Sequence, residues 1–407
     1  LTVFLPFGWS APVLPETLIP QLNVLIDQAM RQSPRTMILN ADLAAAHADM
    51  MVAESARLPS VGGSASFLKS NEDRGDNFGK TLTDKIYYKF SINQVLFKWG
   101  EVSRNIENGK IRYAINEGRT QQAYAILANE VRSAFLHLVR ARRGLERVQF
   151  NLGLADDLLR ETKAKRNQNL ASDVEVFNAE VAQQQATYTS GISEDSFLVA
   201  SATLARLTGT TALTFDEVPN EFPVPNISAD AEEIIRELAE FLSAEEPTNT
   251  ALKNALENLK IQQNNLKNTE TTLRPKLSLT AGVSLDDQTY SRDVSDKYEV
   301  QSTYAGINLS WSIFDGFATK RRIRSSLAGI RSAEIRYEES RRALIDNVQS
   351  HGRLLKTLAL AIVIAERGLD SAQLQLEAME ESKQRGEASE AQINVLKLGY
   401  HDAMGTA

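Results

Sequence analysis

Apolar residues recur along this chain in two rhythms, and each rhythm occurs twice. The first is a heptad. Val131, Ala134, Leu138, Ala141, Leu145, Val148, Leu152, Ala155, Leu159 and Thr162 are spaced alternately by three and four residues. Val348, His351, Leu355, Leu358, Ile362, Ala365, Leu369, Ala372, Leu376 and Met379 repeat the spacing, with nine of ten positions apolar in each set. A sustained 3.5-residue period predicts left-handed supercoiled helices. From Gly100 to about Asn167 only a few glycines interrupt the pattern. At 1.5 Å per residue that predicts a rod of roughly 100 Å.

The second rhythm has period two and lies just before each rod. Ile86, Tyr88, Phe90 and Ile92 alternate with Tyr87, Lys89, Ser91 and Asn93. Ala305, Ile307, Leu309, Trp311 and Ile313 alternate with small or polar residues, as do Leu277, Leu279, Ala281, Val283 and Leu285. The fourth member, Val61 to Leu68, is weaker and Gly-rich. One apolar face at period two fits a half-buried strand, on a soluble core or against lipid. Two details favour lipid. The polar faces are small and hydroxylic, and each segment supplies about the ten residues a tilted transmembrane strand requires. Phe97, Trp99, Trp311 and Phe314 gather where strand meets rod, as aromatics do at a membrane–water boundary.

Both rhythms belong to a duplication. Phe97, Val131 and Ser172 have counterparts 217 residues later at Phe314, Val348 and Ser389, while Pro59 matches Pro275, one residue out of step. A repeat this long is a duplicated structural unit. The expected organisation is an N-terminal extension (1–15), a first repeat (16–209), a linker with a short helix (210–245) and a second repeat (246–407). The first repeat holds strands at about 60–70 and 85–97 and helices at 100–168 and 172–208. The second holds a helix at 247–273, strands at about 276–288 and 299–314, a long helix at 317–384 and a last helix from about 388 that the chain carries only part-way. Pro219, Pro223 and Pro225 mark the linker as breaker-rich, and Ala231 to Leu242 reads as a short acidic amphipathic helix.

Composition narrows the class. The longest apolar run, Leu358 to Ala365, is eight residues, whereas a spanning helix needs about eighteen. A membrane crossing would therefore use strands. The apolar Leu1–Ala11 lacks an initiator Met, so a fragment or a processed chain is expected. With no cysteine, disulfides, thiolate metal sites and cysteine nucleophiles are excluded. His47, His137, His351 and His401 are scattered without metal-ligand spacing. Gly79-Lys80-Thr81 echoes a phosphate loop, but Gly75 is one residue too close and the segment joins two strands. No catalytic constellation is evident, so no enzyme activity and no cofactor are expected. Basic clusters at Arg140–Arg143 and Lys320–Arg322 lie among acids on long helices, and with net charge −7 they do not point to nucleic acid.

A sheet in lipid must have no open edge, because unpaired backbone groups there cost several kcal/mol each. Four strands cannot close, since about eight is the smallest barrel. Copies of the chain must pool strands, and three copies give twelve.

The order of elements resembles the TolC family of outer-membrane efflux and secretion channels. Arg57-Leu58-Pro59 and Leu273-Arg274-Pro275-Lys276 resemble that family's helix-to-strand joint. Ile313-Phe314-Asp315-Gly316 resembles its strand-to-rod joint, with Leu96–Gly100 a looser copy. Asp173–Ala179 resembles the stretch after the first rod's turn, and Ala205–Gly209 the end of the first repeat. The resemblance implies a mainly α fold with transmembrane β: a homotrimeric twelve-stranded barrel in the outer membrane, continued by a periplasmic α-helical barrel. It implies a passive exit duct for a tripartite efflux pump or a type I secretion system. The implied partners are sister chains, a periplasmic adaptor, an inner-membrane transporter and outer-membrane lipid, and the linker region would form a belt. Lipid would face Ile86, Tyr88, Phe90, Ile92, Leu277, Leu279, Val283, Ile307, Leu309 and Trp311, with Phe97, Trp99 and Phe314 at the interface. The rod turns, Asn169–Asp173 and Gly386–Glu390, would form the periplasmic aperture. Family positions that hold aspartates, an arginine and a tyrosine read here Glu175, Lys383, Ala388, Gln392 and Val395, so only one carboxylate persists. Glu175 pairing across chains with Lys383 or Arg385 could replace that latch, with Gly386 and Glu390 beside it. The competing reading is a periplasmic coiled-coil adaptor or scaffold of an export complex.

Overall fold

The computed structural model describes residues 14–73, 80–219, 249–291 and 295–406. The chain opens with a short helix α1 (Pro15–Leu18), then α2 (Pro20–Gln32) and α3 (Pro34–Ser55), and a hairpin of β1 (Ser60–Asp73) and β2 (Lys80–Phe97). The first long helix α4 (Glu101–Asn167) turns into α5 (Asp173–Thr208), followed by a 3-10 turn at Phe215–Glu217. After the linker come α6 (Thr250–Glu270), a second hairpin of β3 (Lys276–Ser291) and β4 (Ser295–Ser310), the second long helix α7 (Ala318–Gln384) and α8 (Glu390–Thr406). Shifting α4 by 217 residues reproduces the bounds of α7. The helix expected at Ala231–Leu242 lies outside the described residues.

Both hairpins join one antiparallel sheet in the order β1-β2-β3-β4. The four strands are longer than the apolar pattern alone suggests. β4 is also displaced from its expected span: its pairing runs from Ser295 to Ser310, so Trp311, Ile313 and Phe314 lie beyond it. Pairing depends on backbone hydrogen bonds, which continue through the polar hairpin ends and stop where the chain turns into the helix.

Contacts divide the chain into two compact units. One comprises described residues up to 41, 120–244 and from 344 onward; the other comprises 42–119 and 245–343. In the first unit, Leu22, Leu25 and Ala29 of α2 pack on Leu127, Val131, Phe135, Leu138 and Leu145 of α4, with Phe197 and Leu204 of α5 and Val218. Val131 and Leu138 are fully buried, so the first heptad seam is this unit's core. A bidentate ion pair ties α1 to α4, Arg132 donating to both carboxylate oxygens of Glu16. That bond holds the Glu16 carboxyl below its ordinary pKa against the opposing effect of burial. The second seam differs. Leu355 and Leu358 are about half exposed, and the positions from Ile362 onward are partly covered.

The second unit holds the sheet and a smaller core of Ile111, Ile115 and Ile261. Its helices meet through polar contacts. Asn264 donates to Asn108 and Glu107, and Arg104 donates to Asn268. Gly109 sits where an added Cβ would come within 2.7 Å of Ala53, so α3 and α4 approach closely there.

Candidate functional site

The sheet has one apolar face, and the chain does not bury it. Pairing places Ile92 opposite both Val61 and Ala281, Phe90 opposite Gly63 and Val283, and Tyr88 opposite Ala65 and Leu285. Leu277 and Leu279 face Leu309 and Ile307. These residues form one continuous surface, since alternate side chains share a face. Phe90 is 60% exposed and Ile307 66% exposed. Tyr88, Ile92, Leu279, Val283 and Leu309 are also exposed, while Ile86 and Leu277 are half-buried. A soluble sheet would turn such a face inward against its own chain, and here it is left open. The run from Leu277 to Leu285 has the length of a tilted membrane strand.

One glycine of β1, Gly63, has a packing reason that the sequence did not reveal. A Cβ on Gly63 would lie 2.9 Å from the Phe90 ring, so the missing side chain makes room for the aromatic across the strand. On the opposite face Lys85 pairs with Asp286 at 2.8 Å, Lys89 lies over the Tyr304 ring, and Thr280 donates to Asn93. Beyond the apolar band, toward the hairpin ends, charges return: Lys69 with Asp84, and Lys297 with Asp287 and Glu299.

Where strands meet long helices, each joint contains two consecutive left-handed residues. They are Trp99 (φ 53°) and Gly100 (φ 77°) in the first copy, and Gly316 (φ 65°) and Phe317 (φ 65°) in the second. The duplicated joint keeps the conformation but exchanges which position holds glycine. Side-chain N–H groups fasten the joints to the segments that lead from helix into strand. The Trp99 indole donates to Pro275 O at 2.7 Å, and Arg274 stacks on that ring. The Trp311 indole donates to Leu273 O, and Gln94 makes the equivalent bond to Arg57 O in the first copy. Phe97 packs edge-on against Trp99, and Phe314 against Phe317. Trp311 and Phe314 remain more than half exposed, Phe97 about half and Trp99 just over a third. Phe317 and Gln94 were missed from sequence because their roles depend on this geometry, and Arg274 was placed at the joint without its partner ring.

In the other unit, the long-helix turns form a second duplicated feature. Asn169 (φ 58°) ends α4, and Gly386 (φ 78°) ends α7, in the left-handed conformation that Gly and Asn adopt most readily. Leu170 N donates to Lys165 O, and Glu387 N to Ser382 O, closing matched turns. Ser172 and Glu175 form a reciprocal capping box at the start of α5. Ser389 and Gln392 form its counterpart at the start of α8. Across each turn runs an ion pair seven residues apart: Arg166 with Asp173, and Lys383 with Glu390. The Arg166 bond holds the Asp173 carboxyl below its ordinary pKa. The Ser172 backbone N–H, then its hydroxyl, does the same for Glu175. Arg385 pairs with Glu387 at 3.4 Å and donates to Ser382. Thus the turn residues singled out from sequence do meet partners within one chain, but those partners are local. Glu175 is engaged by Ser172, and Lys383 by Glu390. Arg166 escaped sequence reasoning, although its spacing to Asp173 equals that of Lys383 to Glu390.

Among the described residues no helix is long and apolar enough to cross a membrane, and no cluster of His, Asp or Glu is placed to hold a metal ion.

The model of the outer membrane efflux protein family matches residues 25–210 and 243–395, most of the chain and both repeats. The chain belongs to the outer membrane efflux protein family. Solved structures of similar fold include the outer membrane protein VceC from Vibrio cholerae, 16% identical over 95% of this chain and 91% of that one, TM-score 0.65. The CmeC outer membrane channel of Campylobacter jejuni is 16% identical over 94% and 81%, TM-score 0.66. The open-state MtrE outer membrane channel of Neisseria gonorrhoeae is 16% identical over 95% and 84%, TM-score 0.61. Comparison with curated sequences gives no match. As a member of this efflux family the protein is an outer-membrane channel component that extends into the periplasm. The adaptor alternative is set aside.

Proposed function

We propose that three copies of this chain close a twelve-stranded barrel and form the passive outer-membrane duct of a tripartite export machine. The supporting observation is the sheet: its apolar face is exposed, and β1 and β4 are its two unpaired edges. In lipid those edges require partners. Pairing β4 of one copy with β1 of the next satisfies all edges without any other protein. An adaptor and an inner-membrane transporter would supply energy and substrate selection to this passive duct.

The helix turns form the periplasmic aperture in this reading, with Glu175, Lys383, Arg385, Gly386, Glu390 and Gln392 around it. A contact from Glu175 to Lys383 or Arg385 of a neighbouring chain would compete with the local bonds to Ser172, Glu390 and Glu387. Exposed ion pairs of this kind are individually weak. A closed state built from them can be opened by a docking partner.

The absence of native cysteine makes closure directly testable. Single cysteines scanned along β1 around Ser64 and along β4 around Ser302 would be combined pairwise and oxidised in detergent. A covalent ladder ending at the trimer is expected for in-register pairs, together with discrete conductance in planar bilayers. A monomer band for every pair, or a ladder ending elsewhere, would overturn the trimeric barrel.

A further inference from the structure

The start of α7 carries charge that its counterpart on α4 does not. Between Asp315 and Glu334 the chain holds Lys320, Arg321, Arg322, Arg324 and Arg331 with no carboxylate. The corresponding stretch of α4 interleaves Lys98, Arg104, Lys110 and Arg112 with Glu101, Glu107 and Glu117. The α4 charges are also taken up by neighbours: Glu101 pairs with Lys276 at 3.1 Å, Arg104 donates to Asn268, and Glu107 accepts from Asn264. Lys320, Arg321, Arg322 and Arg324 are all exposed. Helical geometry puts Lys320, Arg321 and Arg324 within about a third of the circumference, with Arg322 on the far side.

Their depth is informative. α7 begins at Ala318, directly after the exposed Trp311, Ile313, Phe314 and Phe317 that follow the apolar sheet face. Residues 320–324 therefore lie roughly 3–9 Å below the helix start. The headgroup layer on each side of a bilayer is about 5–8 Å thick. Long basic side chains reach from an apolar boundary into that layer, and guanidinium groups match phosphate oxygens in bidentate geometry.

We propose that the Lys320–Arg321–Arg324 face, set just beneath the aromatic edge of the sheet, binds anionic glycerophospholipid headgroups of the periplasmic leaflet. The lipid seals the rim where the sheet gives way to helices and fixes the height of the protein in the membrane. This rests on the membrane placement of the sheet.

The chain carries its own reporters. Its three tryptophans are Trp9, Trp99 and Trp311, so Trp9→Phe leaves only the two at the joints. The full chain with that substitution, reconstituted in vesicles, would be titrated with brominated phosphatidylglycerol or brominated phosphatidylethanolamine, and tryptophan quenching recorded. A preference for the anionic lipid of about fivefold or more is expected, since each cation near an anionic surface contributes roughly that factor. K320Q/R321Q/R324Q is expected to bring the preference close to one. R336Q/R341Q/R342Q, an equal charge change farther along α7, is expected to retain it. No preference in the parent protein, or equal loss in both triple variants, would overturn the proposal. Flotation with vesicles separates the premises. A chain that floats without headgroup preference defeats only the lipid site, whereas one that does not float defeats the membrane placement as well.

Discussion

At the turn between α4 and α5, one serine hydroxyl and one carboxylate satisfy backbone groups that the helix start would leave without partners. Ser172→Ala and Ser389→Ala are each expected to destabilise their turns by about 1 kcal/mol, the usual worth of a helix cap. Faster amide exchange in the first turns of α5 and α8 would show it. The two caps should differ in pH response. Asp173 and Glu175 have folded pKa values below their ordinary ones, so they favour the folded turn above the ordinary carboxylate range of about 4. That contribution is lost as pH falls through the depressed values. Protection of the α5 first turn is therefore expected to stay constant from pH 8 to about 5 and to drop below about 4. Unchanged protection at pH 3 would show that the carboxylates do not hold this turn. The Ser389 cap uses the Gln392 amide, which does not titrate.

At the scale of elements, packing space separates glycines that the sequence cannot distinguish. A Cβ on Gly282 would lie 2.4 Å from the Phe90 carbonyl oxygen, while Gly306 has nothing within 4 Å. Gly282→Ala is expected to reduce the yield of folded, membrane-inserted protein sharply, and Gly306→Ala to leave it unchanged. Equal yields would contradict the strand spacing described here. The helices offer a parallel contrast. Leu138→Ala removes a fully buried side chain and should cost 2–5 kcal/mol. Its counterpart Leu355 is 47% exposed, so Leu355→Ala in a single chain should cost under about 1 kcal/mol. Denaturant midpoints in mild detergent would compare them. Both rods were evident from their heptads, but the unequal burial of the two seams was not. It depends on which elements lie alongside, and α2, α5 and Val218 cover the first seam.

For the molecule as a whole, function follows from an incomplete protomer. Unpaired strand edges, an exposed apolar sheet face and a half-exposed second helix seam are surfaces that a single chain leaves open. If the turn residues close the aperture between chains, Glu175→Ala with Lys383→Ala is expected to raise resting conductance in planar bilayers. Conductance equal to the parent protein would remove these two residues from the gate. The family resemblance singled them out, yet within one chain Lys383 already pairs with Glu390 and Arg166 with Asp173. Sequence identified the turns and their polar residues, but it could not assign partners among charges a few residues apart.

The sequence by itself determined the duplication, the two rods and the strands with one apolar face, because hydrophobic periodicity is a local property repeated over many residues. Tertiary structure alone decided that the apolar sheet face stays uncovered, that both hairpins join one sheet, and that aromatic side chains clamp the joints. Those outcomes depend on contacts between distant segments, such as Trp99 with Pro275, 176 residues apart, and a linear pattern does not encode distance in space.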